Sequence, residues 1–290
     1  MAGLKAVILG GKTGMLGRAL LDAALKMGLD ALPLGREDYD MLDADSLARM
    51  VDREEPDLLF NAIAYTNVDK AEEEEDQAQA VNACLPGNLA RLAKAHGFQL
   101  IHFSTDFVFD GKNRSTPYLE NDEPNPLCAY GRTKLAGERK ILEVDPDRFC
   151  IVRTAWLFGP GRKNFVKTML TLAQDRDELR VVHDQIGSPT YTPDLASLSL
   201  ALAELDVRGI FHAANSGVAS WCELAAEAIS LGGFNTTVTA IPTEEYPTPA
   251  ARPAYSVLDT TKLVKITGVT PRPWVQALRD YVYLMSGTES

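Results

Sequence analysis

Tyr130 and Lys134 are four residues apart, so a helix would carry both side chains on one face. They follow a strand-like segment that ends in Ser104, Thr105 and Asp106, and open α/β sheets bind their ligands at the carboxyl ends of strands. A neutral tyrosine can give its proton to a carbonyl oxygen while hydride arrives at the carbon. Thr105, Tyr130 and Lys134 are therefore the candidate catalytic residues of a carbonyl reductase.

The phenolate that Tyr130 would leave behind is costly at neutral pH, and Lys134 is the candidate cation that offsets this cost. Lowering the pKa of a phenol from about 10 to about 7 requires on the order of 4 kcal/mol. One ammonium about 4 Å away, at an effective dielectric constant near 20, supplies roughly that free energy. Thr105 would hydrogen-bond the substrate oxygen or the tyrosine. The alternative interpretation is that Tyr130 merely caps a helix and that Lys134 is solvated.

A glycine-rich turn at residues 11–17, with the sequence Gly-Lys-Thr-Gly-Met-Leu-Gly, lies between an apolar run and a helical pattern. Glycines permit a tight turn and a close approach of backbone to a pyrophosphate, and the following helix N-terminus favours an anion. The spacing differs from the usual Gly-x-Gly-x-x-Gly fingerprint of dinucleotide sites. The strand, turn and helix order nevertheless predicts a dinucleotide site rather than a purely structural turn.

The end of the second predicted strand indicates which dinucleotide binds. NAD-binding proteins usually place a carboxylate there to bind the ribose, and NADP-binding proteins often place an arginine nearby. Here Gly35 carries no carboxylate, and Arg36 follows it. Arg36 could bind a 2′-phosphate, so NADPH is the predicted cofactor and NADH is the second candidate.

Composition excludes several other classes of protein. The 290 residues carry a net charge of −11, which argues against general nucleic-acid binding. No run of 18 apolar residues exists, so no membrane span is expected, and the N-terminal residues lack the pattern of a signal peptide. The four cysteines are scattered, which is typical of reduced thiols in a cytoplasmic protein.

Other catalytic motifs are absent from the sequence. The four histidines have no metal-ligand spacing, and no His-Glu-x-x-His or Gly-x-Ser-x-Gly sequence occurs, so no metal is expected. The Gly-Lys-Thr at residues 11–13 lacks the glycine that precedes the lysine in a phosphate-binding loop of kinases and ATPases.

The elements that must position these residues alternate along the first half of the chain. Predicted strands cover 6–10, 31–34, 58–64, 99–104 and 149–157. Predicted helices cover 16–25, 44–53, 76–96 and 129–142. Apolar strands that alternate with helices predict an α/β fold with a doubly wound, Rossmann-like parallel sheet.

A second, smaller α/β lobe is predicted to bind substrate. We expect a dinucleotide-binding domain over residues 1–158 and a substrate-binding lobe mainly over 159–290, with segments between about 180 and 215 returning to the first domain. Predicted helices of the second half are 164–174, 193–205 and 220–231, and predicted short strands are 180–183 and 209–213. The proline-rich stretch 241–254 should be extended.

Longer motifs resemble the dTDP-4-dehydrorhamnose reductases, which belong to the extended short-chain dehydrogenases. In the first half these motifs are residues 11–17, Asn-Ala-Ile-Ala-Tyr-Thr-Asn-Val-Asp-Lys-Ala-Glu at 61–72, Ser-Thr-Asp-Phe-Val-Phe-Asp-Gly at 104–111, Tyr-Gly-Arg-Thr-Lys-Leu-Ala-Gly-Glu at 130–138 and Arg-Thr-Ala-Trp-Leu-Phe-Gly at 153–159. In the second half they are Asp-Gln-Ile-Gly-Ser-Pro-Thr at 184–190, Tyr-Pro-Thr-Pro at 246–249 and Arg-Pro-Ala-Tyr-Ser-Val-Leu-Asp at 252–259. The resemblance covers nearly the whole chain.

The resemblance implies an NADPH-dependent reductase of a nucleotide sugar, whose product would be dTDP-L-rhamnose, a precursor of bacterial surface polysaccharide. The implied cofactor contacts, together with those of the turn and Arg36, are Gly11, Lys12, Thr13, Gly14, Met15, Leu16, Gly17, Arg36, Asp40, Met41, Ala62, Ala64, Tyr65, Thr66, Phe103, Tyr130 and Lys134. Asp40 and Met41 would flank the adenine, and Ala64, Tyr65, Thr66 and Phe103 the nicotinamide. The implied substrate contacts are Thr105, Asp106, Trp156 and Arg252, the last on the diphosphate.

The sequence departs from the family pattern in two places. Phe107 stands where the family usually has tyrosine, and Arg18 and Ala19 occupy the stretch where some members hold magnesium at a dimer interface. No metal is therefore expected, and a homodimer stays a candidate assembly. The alternatives are an NADP-binding regulatory subunit resembling that of methionine adenosyltransferase, and another nucleotide-sugar reductase or epimerase. A dehydratase is disfavoured because no second acid follows Asp106.

Overall fold

The computed structural model describes Met1 and residues 3–112 and 114–287; Ala2, Asn113 and residues 288–290, which fall within the two predicted lobes, lie outside this description. The strands are β1 (Lys5–Leu9), β2 (Asp30–Leu34), β3 (Leu58–Asn61), β4 (Gln99–Thr105), β5 (Phe149–Thr154), β6 (Leu157–Phe158), β7 (Glu178–Val182), β8 (Ile186–Gly187), β9 (Thr190–Tyr191), β10 (Gly209–His212), β11 (Ala219–Ser220) and β12 (Thr237–Ile241). The α-helices are α1 (Met15–Lys26), α2 (Ala44–Glu54), α3 (Glu75–Gln79), α4 (Leu85–His96), α5 (Ala129–Val144), α6 (Phe165–Ala173), α7 (Thr192–Glu204), α8 (Trp221–Leu231), α9 (Thr261–Thr267) and α10 (Trp274–Ser286).

Six parallel strands form the central sheet in the order β2-β1-β3-β4-β5-β10, so the predicted doubly wound sheet is confirmed. Strand β10 comes from the second half of the chain and pairs with β5. The strand order reverses between β1 and β3, and ligands bind outside the carboxyl ends of strands at such a switch point. The topology therefore directs the glycine turn after β1 and the segments after β3 and β4 to one crevice.

Both faces of the sheet are covered, which explains why its strands are continuous apolar runs. In β1, Ala6 and Ile8 pack in the core under α1 and α7. Val7 and Leu9 point to the other core, under α2, α4 and α5. Because side chains alternate along a strand, each apolar residue of β1 has a helix layer to contact.

Strand β3 is shorter than the sequence predicts. The predicted strand 58–64 leaves the sheet after Asn61, whose Oδ1 accepts a hydrogen bond from the Ile63 amide at 3.2 Å. This Asx-type turn bends the chain. Residues 62–64 then line the crevice instead of pairing with neighbouring strands.

The predicted helix 76–96 is confirmed as one continuous helical stretch, but a π-helical turn at Ala80–Cys84 interrupts it between α3 and α4. Pro86 has no N–H to donate to the carbonyl of Asn82 four residues earlier, which favours this irregular turn. A Cβ atom on Gly137 of α5 would lie only 2.1 Å from that same carbonyl oxygen. The glycine therefore permits α5 to approach the π-helical turn closely.

Outside the central sheet, strands β7 and β12 form a parallel pair that packs with α6, α8 and α10, and we call this group with its connecting segments the second lobe. The predicted helices at 164–174 and 220–231 correspond to α6 and α8. Helices α9 and α10 were not expected from the sequence. The proline-rich stretch contains one 3₁₀ turn, Thr243–Glu245, and no α-helix. Among the described residues, no helix is long and apolar enough to cross a membrane.

Candidate active site

A cavity of about 1390 Å³ lies between the carboxyl edge of the sheet and the second lobe. It brings together most of the residues that the sequence selected, although they come from both halves of the chain. Those lining it are Gly14, Met15, Leu16, Ala62, Ala64, Thr66, Phe103, Thr105, Asp106, Tyr130, Lys134, Trp156 and Arg252. The cavity is large enough for a dinucleotide and a second ligand side by side.

The remaining predicted cofactor residues lie outside this lining. They are Gly11, Lys12, Thr13, Gly17, Arg36, Asp40, Met41 and Tyr65. Met41 is buried in the core beneath α2, and Asp40 is exposed and accepts a hydrogen bond from the Leu42 amide. Arg36 is exposed. An adenine at this end would therefore meet a surface rather than an enclosed pocket.

The glycine turn has the close backbone contacts that its sequence requires. Cβ atoms added to Gly14 and Gly17 would lie 2.7 Å and 2.2 Å from the carbonyl oxygen of Gly10. Helix α1 begins at Met15, and no side chain caps its N-terminus. Its first N–H groups therefore face the cavity without a side-chain acceptor, as a bound pyrophosphate requires. The residues present fit a dinucleotide.

Near the end of β2, Lys12 is already paired. Its Nζ donates to Asp38 Oδ1 at 2.5 Å and lies 3.5 Å from Glu37 Oε1. Asp38 also accepts a hydrogen bond from the Gly35 amide at 2.8 Å, so a carboxylate is fixed just beyond the end of β2. Near the end of β2, where the adenosine ribose would lie, a cation and two carboxylates are therefore close together. These residues do not by themselves select between NADPH and NADH.

The catalytic candidates meet at the carboxyl end of β4. Helix α5 presents Tyr130 and, one turn later, Lys134, which is 2% exposed and donates from Nζ to the carbonyl oxygen of Phe103 at 2.5 Å. The hydroxyl of Tyr130 interacts with Thr105, which lowers its pKa in part. Thr105 Oγ1 also accepts from the Phe107 amide at 3.2 Å, which holds the threonine in place.

Burial dominates the electrostatics of Tyr130 and Lys134. It raises the pKa of Tyr130 above its usual value, although the hydrogen bond from Thr105 lowers it in part. Burial also lowers the pKa of Lys134 to about 8, against the opposing charge of Glu138. The expected lowering of the tyrosine pKa by Lys134 is not seen, because its ammonium is bonded to the carbonyl oxygen of Phe103 and desolvation is the largest cause of the shift. A protonated tyrosine at neutral pH is suited to donate a proton.

Asp106 is buried beside this pair and is tied to both halves of the chain. Its Oδ1 accepts from Thr105 Oγ1 at 3.0 Å, and its Oδ2 accepts from Ser256 Oγ of the second lobe at 2.6 Å. Burial raises its pKa to about 6, because the hydrogen bonds only partly offset the loss of solvent. Ser256 was not selected from the sequence, although it lies within the motif at 252–259.

We expect Asp106→Asn to stabilise the protein most at alkaline pH. The folded-state pKa of about 6 exceeds the ordinary 3.8, so the folded protein retains this proton while the unfolded chain loses it. The stability that the carboxyl contributes is full below about pH 4 and is lost as pH rises through 6. In urea unfolding, the free energy of unfolding of the variant minus that of wild type should increase by about 2 kcal/mol between pH 4.5 and 7.5. A difference that does not change with pH would contradict this interpretation.

Asn82, at the π-helical turn, is a site residue that the sequence analysis missed. Its Oδ1 accepts from the Tyr65 amide at 2.8 Å, and its Nδ2 donates to the Tyr65 carbonyl at 3.1 Å and to Thr133 Oγ1 at 3.1 Å. Thr133 Oγ1 in turn donates to the carbonyl of Tyr130 at 3.0 Å. One buried amide thus holds the segment after β3 against α5. An asparagine four residues before a proline was the available signal.

We expect Asn82→Ala to cost about 1–3 kcal/mol of unfolding free energy, because the backbone groups of Tyr65 lose their partners. The same change should lower turnover by loosening the segment that packs against α5. Asn82→Asp keeps the acceptor for the Tyr65 amide but buries a carboxylate oxygen against the Tyr65 carbonyl, which costs more than the lost hydrogen bonds alone. Urea unfolding at neutral pH should therefore rank Asp below Ala, and initial rates of both variants measure the loosening of the segment. Equal stability of Asn82→Ala and wild type would exclude this role.

The N-terminus of α5 is capped from a distance. Cys128, at the N-cap position, provides no side-chain hydrogen bond. Instead, Glu72 Oε1 accepts from the Ala129 amide at 2.7 Å, and Glu75 forms an ion pair with Arg132 at 3.0 Å. A carboxylate there also interacts favourably with the helix dipole. The motif at 61–72 thus fixes the helix turn that carries the tyrosine.

Arg252 lies in the cavity wall, but its guanidinium is occupied. Nη1 and Nη2 donate to the two carboxylate oxygens of Asp69 at 2.6 Å and 2.9 Å. Asp69 also accepts a hydrogen bond from the Ala250 amide at 3.2 Å. This bidentate pair joins the proline-rich stretch to the first lobe, and any anion at Arg252 must share it with Asp69.

Trp156 has an unusual backbone and an aromatic partner that was not foreseen. Its φ is +47°, a left-handed conformation that is rare for a bulky residue. Its indole stacks on Trp221, with ring centroids 3.5 Å apart and planes at 3°. A Cβ on Gly187 would lie 2.4 Å from the Trp156 ring, so this glycine lets the indole lie flat. The two indoles form an aromatic wall at the second-lobe side of the cavity.

Phe107 contacts Tyr130 edge-on, with ring centroids 5.6 Å apart and planes at 76°. The residue that departs from the family pattern therefore packs directly against the catalytic candidate. Groups of three or more His, Cys, Asp or Glu side chains arranged to hold a metal ion are absent from the part of the chain that the structure describes.

Known proteins match nearly the whole chain. The family model described as the RmlD substrate binding domain matches residues 5–286. A dTDP-4-dehydrorhamnose reductase of Mycolicibacterium smegmatis is 43% identical over 285 residues, which cover 97% of this chain and 86% of the relative. A solved dTDP-4-dehydrorhamnose reductase of Clostridium acetobutylicum superposes with a TM-score of 0.93 at 39% identity, covering 98% of this chain and all of that one. A Bacillus anthracis reductase of the same name, solved in complex with NADP, has a TM-score of 0.92 at 34% identity and covers 96% and 98% of the two chains.

Proposed function

The chain belongs to the family defined by the RmlD substrate binding domain, and from this premise we propose that it reduces the 4-keto group of dTDP-4-dehydro-β-L-rhamnose to dTDP-L-rhamnose with NADPH. One observation carries the proposal. A protonated tyrosine, half-buried beside Thr105 and one helical turn from Lys134, lines a cavity that the glycine turn and the second lobe share. Such a site can hold a dinucleotide and a carbonyl substrate face to face.

The first lobe would hold the cofactor, which when bound supplies a hydride to the carbonyl carbon of the sugar. The uncapped N-terminus of α1 would bind its pyrophosphate through backbone N–H groups. Arg36 and Lys12 are the cations available for a 2′-phosphate. Because Glu37 and Asp38 already engage Lys12, we propose that Arg36 decides the preference for NADPH, with NADH as a second substrate.

The chain's own groups would handle the proton. Tyr130 donates its hydroxyl proton to the sugar oxygen at carbon 4, and the Thr105 hydroxyl beside it would turn from Asp106 Oδ1 to the phenolate and stabilise it as it forms. Lys134, buried and bonded to Phe103, keeps a positive charge near the site at neutral pH, because its pKa is about 8.

The second lobe would hold the nucleotide sugar. We propose that Trp156 packs on the sugar ring, with Trp221 behind it, and that Asp106 contacts a sugar hydroxyl. Arg252 would share its guanidinium between Asp69 and the substrate diphosphate. We place the division between the lobes near residue 158, with α7 and β10 returning to the first lobe, because α7 packs on α1 and β10 pairs with β5.

The test is NADPH oxidation on addition of enzymatically prepared dTDP-4-dehydro-β-L-rhamnose. Substrate-dependent loss of reduced nicotinamide, with dTDP-L-rhamnose as the product by mass and retention time, is the expected result. The matched control is dTDP-glucose, which lacks the ketone and should give no oxidation. Tight NADPH binding without turnover on the keto sugar would contradict the proposal and favour a regulatory NADP-binding protein.

A further inference from the structure

The loop of residues 159–164, between β6 and α6, crosses from the second lobe to the glycine turn. Asn164 Nδ2 donates to the carbonyls of Gly159 at 2.9 Å and Arg162 at 3.2 Å, which fixes the shape of the loop. The same nitrogen lies 3.8 Å from Met15 Sδ, at the first residue of α1. Through the Asn164 side chain, the loop therefore contacts the first residue of the helix that follows the glycine turn.

Glycine makes this approach possible. Gly161 has a φ of +99°, which L side chains rarely adopt, and a Cβ there would lie 3.6 Å from the Arg18 side chain of α1. The loop thus reaches the second turn of α1 as well as the first. Its position relative to the glycine turn is set by these packing contacts and not by charge.

Arg162 and Lys163 are the two charged side chains of this loop, and both line the large cavity. Both are exposed, and across the described residues neither has a carboxylate within ion-pair distance. The cations of the glycine turn itself are engaged. Lys12 is paired with Asp38, and Arg18 Nε donates to the Lys12 carbonyl at 3.0 Å.

Arg162 and Lys163 thus place two adjacent positive charges, not offset by an ion pair, on the wall of the cavity. Arg162 offers a planar fork of N–H donors and Lys163 a point charge, and together they match a group that carries two linked anionic phosphates. We propose that Arg162 and Lys163 form a diphosphate-binding element that the second lobe supplies to the cavity. The choice of ligands below rests on the proposed function, whereas the binding element does not require turnover.

Two ligands of the proposed reaction contain a diphosphate, namely the dinucleotide and the nucleotide sugar. Contact with Met15 and Arg18 favours the dinucleotide, since its pyrophosphate would lie at the start of α1. The element would then close over the cofactor from the second-lobe side. Binding of NADP⁺ and of dTDP, measured separately, distinguishes the two sources.

The experiment compares Arg162→Gln, Lys163→Gln and the double variant with wild type by calorimetric titration of NADP⁺, dTDP and thymidine. The matched control is Lys167→Gln, which removes the same charge from an exposed position one helical turn further on, outside the cavity. We expect the double variant to bind one diphosphate ligand about tenfold more weakly, with a reduced salt dependence. Binding of thymidine should not change, and Lys167→Gln should behave as wild type.

The outcomes separate the binding element from the reaction. Weakening for NADP⁺ assigns the element to the cofactor, and weakening for dTDP assigns it to the nucleotide sugar; either supports the proposal, even if the keto sugar is not reduced. Wild-type affinity for both ligands in the double variant overturns it. Equal weakening of binding by Lys167→Gln also overturns the proposal, because the effect would then come from the net charge of the protein rather than from this loop. Thermal unfolding of each variant verifies that the fold is intact.

Discussion

Tyr130→Phe should lower kcat by about two to four orders of magnitude, because it removes the hydroxyl that gives the proton to the sugar oxygen and little else. The raised pKa of this tyrosine keeps the hydroxyl protonated across neutral pH, so the wild-type side chain carries the proton that it donates. Phe107 packs edge-on against the ring and would hold phenylalanine in the same place. Steady-state rates with NADPH and the keto sugar measure the effect.

Affinity for NADPH should be nearly unchanged in this variant, since the ring and the glycine turn remain. Tyr118→Phe is the matched control. It removes a buried tyrosine hydroxyl, bonded to the Gly111 amide at 2.9 Å, outside the cavity. Its kcat should equal that of wild type. Wild-type turnover in Tyr130→Phe would exclude the tyrosine as the proton donor.

Arg153→Met should destabilise the fold by about 3–5 kcal/mol, because it leaves the carboxylate of Glu138 buried without a counter-ion. The side chains of this pair are only 2% and 1% exposed. The guanidinium makes two contacts to the carboxylate, at 3.0 Å and 2.7 Å, and Ser104 donates to the same carboxylate. Urea unfolding at pH 7.5 gives the difference in free energy directly.

Arg148→Met serves as the control for the buried pair. Arg148 contacts Asp206 at 2.8 Å, but these side chains are 40% and 48% exposed, so the loss should be between 0 and about 1 kcal/mol. Replacing Arg153 and Glu138 together by Met and Leu should recover part of the loss, because the carboxylate is removed with its partner, while buried Lys134 loses the opposing charge of Glu138. A loss in Arg153→Met no larger than that in Arg148→Met would show that Glu138 finds another partner or takes up a proton.

Local pattern was sufficient to predict the sheet and its helices. The apolar run of β1 and the helix at 129–142 are set by side-chain periodicity, which is a property of neighbouring residues. Strand β3 ended early because Asn61 turns the chain, and the π-helical turn depended on Pro86. Both signals are single residues whose effect requires the three-dimensional contacts around them.

The same difference separates the site residues that could be predicted from the sequence from those that could not. Thr105, Tyr130 and Lys134 could be selected because strand ends and helical spacing bring them together. Asn82 and Glu72 could not, since their roles depend on hydrogen bonds to distant backbone groups. The pKa of Tyr130 went in the direction opposite to that expected from charge alone, because the depth of burial cannot be obtained from sequence spacing.

The most direct test of the proposed function follows a deuterium label. NADPH carrying deuterium at both positions of nicotinamide carbon 4 is incubated with the protein and dTDP-4-dehydro-β-L-rhamnose, and the nucleotide sugar is then analysed by mass spectrometry and NMR. The account predicts dTDP-L-rhamnose with a single deuterium on sugar carbon 4, formed in equal amount to NADP⁺. Unlabelled product, or an altered sugar formed without consumption of NADPH, would contradict it.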